Sequence, residues 1–208
     1  MQLRVAVNKN CVNKDNPNVA HGFKNVIVDL EWLLGWVAAG YGWCATHFHD
    51  RYRKADNAAG SNIVVIDFDG DCTLNEFWAT DTAKNWCAAT YTSRSHSDEQ
   101  HRFRALFPLE RMLHSAAEHK GAYWLIVNRL VAELGLTELA DNCGQKPERL
   151  WYGNTDTTVL RNEYTPVPQF LLEDIAWEEN FDFQQSDASD IDVKRCQWLL
   201  DEFIRPSE

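Results

Sequence analysis

The chain has 208 residues, 45% of them hydrophobic, with nine tryptophans, which excludes a disordered protein and fits one globular domain. Its formal net charge of −11 argues against a surface that clings to a phosphate backbone over its whole extent, where a basic face is the rule. No apolar run reaches the length of a membrane span, residues 1–4 open no signal peptide, and Cys11, Cys44, Cys72, Cys87, Cys143 and Cys196 contain no Cys-x-x-Cys pair, so a cytoplasmic protein with reduced thiols is expected, without a zinc ribbon or a disulfide framework.

Residues 3–7 alternate weakly and predict a first strand; residues 8–18, rich in Asn, Lys and Asp, predict a loop. Residues 29–39 have helical periodicity, with Asp29 as N-cap and Gly40 as the stop. Residues 41–48 are aromatic and extended. His47 and His49 stand at i, i+2, a zinc-type spacing with no third ligand close by, and Arg51, Arg53 and Lys54 face either solvent or a phosphate. Residues 63–66 form a β-branched run that predicts a buried strand ending in Asp67-Phe68-Asp69-Gly70. Thr73-Leu74-Asn75-Glu76 matches a capping box and starts a helix to about Lys84. A second strand is expected at 86–92, a polar turn at 93–100 and a third strand at 101–109, closing a hairpin. Residues 121–134 predict an amphipathic helix stopped by Gly135, followed by a loop over 136–147 that contains Asp141. Short strands at 149–152 and 157–160 and acidic helical stretches near 169–178 and 191–203 complete the chain, which shows no internal repeat and no linker. One domain over 1–208 is expected, with a core at about 25–165 and a C-terminal helical part at about 166–208.

Asp67 and Asp69 are the centre of this pattern. On a strand, residues i and i+2 project from one face about 7 Å apart. Like charges that close call for a cation, and a divalent metal with oxygen ligands is the common answer; otherwise they are solvated carboxylates leading into an Asp-Gly turn. Arg94, His96, His101, Arg102, Arg104 and Arg111 make a local basic strip, while much of the acid lies in 173–192. Arg102 and Arg104 share one face of their strand. Carboxylates that hold cations, beside guanidinium forks that hold phosphate oxygens, are what a metal–triphosphate complex requires.

The order and spacing of these features resemble the archaeo-eukaryotic primase superfamily, the primase-polymerases of plasmid, phage and CRISPR-linked systems. That family's first motif is a hydrophobic strand ending Asp-x-Asp or Asp-x-Glu, here Ile66-Asp67-Phe68-Asp69. Its third is an acidic residue shortly before a strand beginning Arg-Leu, here Asp141 before Arg149-Leu150. Thr92-Ser93-Arg94-Ser95-His96, Arg102-Phe103-Arg104 and Pro108-Leu109 are similar to one branch of the family, and the resemblance covers roughly residues 30–153. The chain departs from the family at its second motif: Arg102-Phe103-Arg104 occupies the place of Ser-x-His, so the histidine's triphosphate role falls to Arg104, His96 or His101, with Arg104 favoured and His96 assisting.

The resemblance implies an α+β fold, a mixed β-sheet forming an RRM-like catalytic core with helices on one face. It implies two-metal nucleotidyl transfer from NTP or dNTP onto a 3′-hydroxyl on single-stranded DNA, with template and primer as partners. Asp67, Asp69 and Asp141 would hold Mg²⁺ or Mn²⁺ and carry catalysis; Ser95, His96, Arg102, Arg104 and Arg149 would bind the nucleotide. Trp43, Phe48 and Tyr52 are candidates for template stacking. The sequence has no P-loop, so a helicase is expected on a separate chain or a missing C-terminal region. Two other readings stand beside this one. A non-catalytic replication-initiation or defence protein would use the same fold to bind nucleotide or nucleic acid. A haloacid-dehalogenase-type phosphatase also begins Asp-Phe-Asp-Gly, but needs Thr or Val where this chain has Asp71.

Overall fold

A computed structural model describes residues 1–13 and 19–173. The acidic helix predicted near 191–203 lies outside them, as do the part of the 169–178 stretch beyond residue 173 and residues 14–18 of the first loop.

Two antiparallel sheets carry the fold. The smaller has the order β2-β1-β3, from β1 (Leu3–Asn8), β2 (Lys24–Val28) and β3 (Gly42–Cys44). The larger has the order β4-β6-β5-β7, from β4 (Ser61–Asp69), β5 (Ala89–Thr92), β6 (Arg102–Leu113) and β7 (Val159–Arg161). A single parallel bridge joins Leu109 to Val167. The α+β class is as expected, with its strands divided between two sheets.

The period-two alternation of β4 sorts its side chains onto two faces. Val64, Ile66 and Phe68 enter a core built with α2 (Leu74–Ala79), α3 (Asp81–Trp86) and α4 (Ala116–Leu134), through Phe77, Ala83, Tyr123, Ile126 and Leu130. Ile63 and Val65 point the other way, against Leu3, Val5 and Val7 of β1 and Leu33, Leu34 and Val37 of α1 (Leu30–Ala38). The helices expected on one face are therefore α2, α3 and α4, while α1 goes to the opposite face with the small sheet. β1 is part of this second core, so the core reaches further toward the N-terminus than residue 25.

Local signals explain most boundaries. Asp29 caps α1 by accepting the Trp32 N–H, and Thr73 and Glu76 form a reciprocal capping box on α2. The single helix expected after Thr73 is two helices, because Thr80 is extended (φ −68°, ψ 148°) and its hydroxyl caps α3. That second helix takes Trp86 from the strand predicted at 86–92, and β5 starts at Ala89. α4 begins five residues earlier than residue 121, at Ala116 after the Ser115 cap. It ends at Gly135, whose φ of 67° is the left-handed conformation that glycine adopts freely. The strand at 149–152 reduces to a bridge between Trp151 and Trp43, and that at 157–160 is β7. Residues 169–173 form a short helix, Gln169–Glu173. Among the described residues no helix is long and apolar enough to cross a membrane.

Candidate active site

The face of β4 that carries Ile63 and Val65 continues into Asp67 and Asp69. Apolar residues give way to acids where the small sheet and α1 cease to cover the strand. Register puts the basic residues directly opposite: Asp67 pairs with Arg104 and Asp69 with Arg102 on β6. Cross-strand partners share a face, so two acid–base pairs stand side by side in one bay. Arg104 Nε lies 3.3 Å from Asp67 Oδ1, both side chains being about 85% buried, and Arg102 Nε lies 2.7 Å from Asp69 Oδ1 in a more open pair. Neither Nε–H is aligned for a hydrogen bond, although both are buried. Arg104 Nη1 instead donates to the Tyr152 carbonyl at 2.8 Å, and its guanidinium lies over the Trp151 ring at 5.3 Å.

Asp141 arrives from the other end of the sequence. The 3₁₀ turn Cys143–Gln145 packs on β4, and Gly144 makes that possible. A Cβ there would run into the Val65 carbonyl oxygen and lie 2.7 Å from Tyr123 Cε2. Buried His119 of α4 tethers the same glycine, with Nε2 3.1 Å from the Gly144 oxygen. Asp71 braces the approach: one carboxylate oxygen accepts the Asp69 N–H at 2.9 Å, the other the Ala140 N–H at 2.6 Å. As a result Asp67, Asp141 and Cys143 offer ligand atoms within 4.8 Å of one another. Asp69 lines the same bay but is engaged by Arg102.

Burial raises the pKa of Asp67 above the ordinary carboxylate value; Arg104 opposes this and Asp141 adds to it. A divalent cation would relieve the repulsion between the two carboxylates. Burial also pushes the Cys143 thiol up to about 12, Arg149 working against it, so the sulfur stays protonated at neutral pH. Two carboxylates supply the oxygen ligands that a hard ion such as Mg²⁺ or Mn²⁺ takes. His47 and His49 take no part; His47 Nε2 is bound to the Val26 carbonyl.

The bay encloses about 650 Å³ and is lined by Arg53, Arg94, Arg102, Arg104 and Arg149 with Asp67, Asp69 and Asp141. Five guanidinium groups against three carboxylates make it locally cationic in an acidic protein. Ser95 also lines it and accepts from Arg102 Nη1 at 3.2 Å. His96 sits beside it: its Nδ1 accepts the Arg102 backbone N–H at 3.1 Å, and it lines an adjoining depression. His101 Nδ1 accepts the Leu74 N–H at the start of α2. Of the three candidates for the family histidine's place, Arg104 is the one that faces Asp67. Arg111 pairs with Glu118 at 2.9 Å, apart from this group. Among the template candidates, Trp43 and Phe48 are buried core residues, and Tyr52 packs on His21 at 4.7 Å. Cys143 and Asp71 were not anticipated. The first had a signal, the Asp141-Asn142-Cys143 spacing in which an Asx side chain accepts the N–H two residues on, here at 2.7 Å. The second had none, because its partner at Ala140 is distant in sequence.

The His119 tether predicts a pH dependence. Nε2 donates to Gly144, so Nδ1 bears a lone pair, and it is buried without a hydrogen-bond partner. Burial lowers the pKa from 6.5 to about 4. The unfolded chain therefore takes the proton first as pH falls. The stabilisation is complete above pH 6.5 and is lost progressively toward pH 4, amounting to about 3 kcal/mol. His119→Gln should flatten that part of a melting temperature against pH curve relative to wild type. An unchanged slope would remove His119 from the acid response.

Comparison with known families matches residues 40–182 to the family described as the VapE N-terminal domain. No curated protein matches. Among solved structures, the chain is similar to the AEP domain of the Cyanophage S-2L primase-polymerase, at 7% identity and a TM-score of 0.43, over 84% of this chain and 88% of that one.

Proposed function

The chain belongs to the VapE N-terminal domain family, in keeping with the primase-superfamily resemblance of its sequence, and on that premise we propose that it is a primase-polymerase, transferring nucleotides from NTP or dNTP onto a 3′-hydroxyl on single-stranded DNA. The observation that carries this reading is the convergence of Asp67 and Asp141 within ligand reach, on the floor of an arginine-lined bay. Asp67 and Asp141, with Asp69 once it leaves Arg102, would hold Mg²⁺ or Mn²⁺. Bound there, the ions would supply activation of the 3′-hydroxyl and charge neutralisation at the leaving pyrophosphate. Arg102, on releasing Asp69, Ser95 and Gln100, and Arg104 would offer guanidinium donors to the triphosphate, with Arg53, Arg94 and Arg149 adding positive field in a site partly shielded from water. Ser95 and His96 hold Arg102 through its side chain and its backbone. A helicase, if the chain primes replication, acts from another polypeptide or region.

The test is incorporation of labelled nucleotide on single-stranded DNA with Mg²⁺ or Mn²⁺. No incorporation under either ion, with nucleic acid still bound, favours the second reading, a non-catalytic nucleotide- or nucleic-acid-binding protein. One observation speaks for that reading: Asp69 is committed to Arg102 at 2.7 Å. The phosphatase reading has no comparable support, since the position that family fills with Thr or Val is Asp71 here.

Arg102→Lys keeps the charge but loses the fork. The apparent KM for nucleotide is expected to rise roughly tenfold, on the scale of a charged hydrogen bond, with a smaller change in kcat. Steady-state kinetics would show it; an unchanged KM would place the triphosphate elsewhere in the bay.

A further inference from the structure

We propose that Trp32, Trp36 and Tyr41, together with the polar depression beside them, form a track along which a single nucleic-acid strand reaches the bay. The inference deepens the nucleotidyl-transfer reading and rests on it. α1 presents an apolar outer surface to solvent: Trp32, Gly35, Ala38 and Ala39 are exposed and Trp36 is half-buried. Trp32 and Trp36 stack with centroids 5.2 Å apart and planes 15° apart, and Tyr41 follows 4.9 Å from Trp36. The Trp36 indole N–H donates to the Gly42 carbonyl at 3.1 Å, which holds the ring in place. Beyond its stack on Trp36, Trp32 keeps 42% exposure.

The array runs into the arginine-rich region. A Cβ on Gly40 would lie 3.3 Å from Thr155 Cγ2 and 3.9 Å from Arg94 Nη2. Arg94 and Thr155 line a depression of about 420 Å³ with His96, Asn154 and Asp156. Arg94 and Ser93 line both this depression and the bay. Rings, depression and bay are thus consecutive. Stacking on aromatic faces is indifferent to base identity, and Arg, His, Asn and Thr side chains offer donors to phosphate and sugar. Of the nearby acids, Glu31 is paired with Arg161 at 2.6 Å and Asp29 accepts the Trp32 N–H at 2.7 Å, while the exposed Asp156 borders the depression itself. A folded protein is the poorer occupant. A specific interface buries on the order of 1,000 Å² or more, whereas each aromatic ring supplies at most about 150–250 Å².

The experiment measures binding of fluorescently labelled (dT)20 to the full chain by anisotropy at low salt, beside Mn²⁺–dNTP binding. Trp32→Ala should weaken (dT)20 binding roughly tenfold, the order of one base–aromatic stack, with dNTP binding unchanged and the melting temperature only slightly lowered by loss of the Trp36 stack. Trp32→Phe should recover most of the loss. Wild-type affinity for (dT)20 in Trp32→Ala overturns the track, as does failure of the wild type to bind (dT)20. Self-association of the wild type that Trp32→Ala abolishes also overturns it, because a second copy is then the occupant. If the wild type incorporates nucleotide but Trp32→Ala binds (dT)20 normally, the track fails and the polymerase stands. If the variant loses (dT)20 but the wild type incorporates nothing, the polymerase fails and the track stands.

Discussion

Metal-dependent nucleotide incorporation is expected to fall about a thousandfold or more in Asp67→Asn. A ligand carboxylate supports several kcal/mol of transition-state charge stabilisation through the ion it holds, and each 1.36 kcal/mol is a factor of ten in rate. Asparagine is the informative substitution. It keeps an oxygen opposite Arg104 Nε, 3.3 Å away in the native pair, and it keeps the volume of a side chain about 85% buried. Alanine would leave the Arg104 charge without its partner, and removing one member of a buried pair costs about 3–5 kcal/mol, which would confuse loss of chemistry with loss of fold. Asparagine still leaves Arg104 without a counter-charge, so the melting temperature should fall, though less than with alanine, and turnover is compared at a temperature where both proteins remain folded. Asp141→Asn should behave alike, because its Oδ1 can still accept the Cys143 N–H. Near-wild-type turnover in Asp67→Asn, with Mg²⁺ and with Mn²⁺, would end the polymerase proposal.

Gly144→Ala is expected to separate the acids without touching either. The added methyl meets the Val65 carbonyl oxygen on β4, buried on both faces, and lies 2.7 Å from Cε2 of the buried Tyr123, and neither has room to retreat. Overpacking of this kind costs about 1–3 kcal/mol. The cheapest relief is for the 3₁₀ turn to lift from β4, which stretches the His119 contact and draws Asp141 away from Asp67. The variant should therefore melt lower and bind Mn²⁺ far more weakly, both without any change of ligand residue. Calorimetry with Mn²⁺ reads the second effect directly. A variant that binds the ion as wild type does would show that the turn does not position Asp141.

Much of this site was legible along the chain because its elements are short-range patterns. The β-branched run before Asp67-Phe68-Asp69, the Thr73–Glu76 capping box and the Arg102-Phe103-Arg104 alternation each declare a strand or cap from neighbouring residues alone. The capping box marks the start of α2 correctly, while Thr80 is a second cap inside what reads as one helix. Where the periodic signal was weak, boundaries moved: β2 at Lys24–Val28 was read as no element, and the Trp86 end of α3 was read as strand.

The sequence by itself determined that Asp67 and Asp69 share a face, as Arg102 and Arg104 do, because strand geometry has a period of two and needs no partner. It did not determine which acid meets which base. That follows from the β4–β6 register, a pairing set by cores on both faces of the sheet. The family resemblance already grouped Asp141 with Asp67, but tertiary structure alone decided that Cys143 joins them while Asp69 turns to Arg102. That convergence depends on a glycine small enough to lie on β4, a histidine reaching out of α4 and Asp71 bridging two loops. These contacts join residues 20 to 80 positions apart, where local preference carries no information and only packing does.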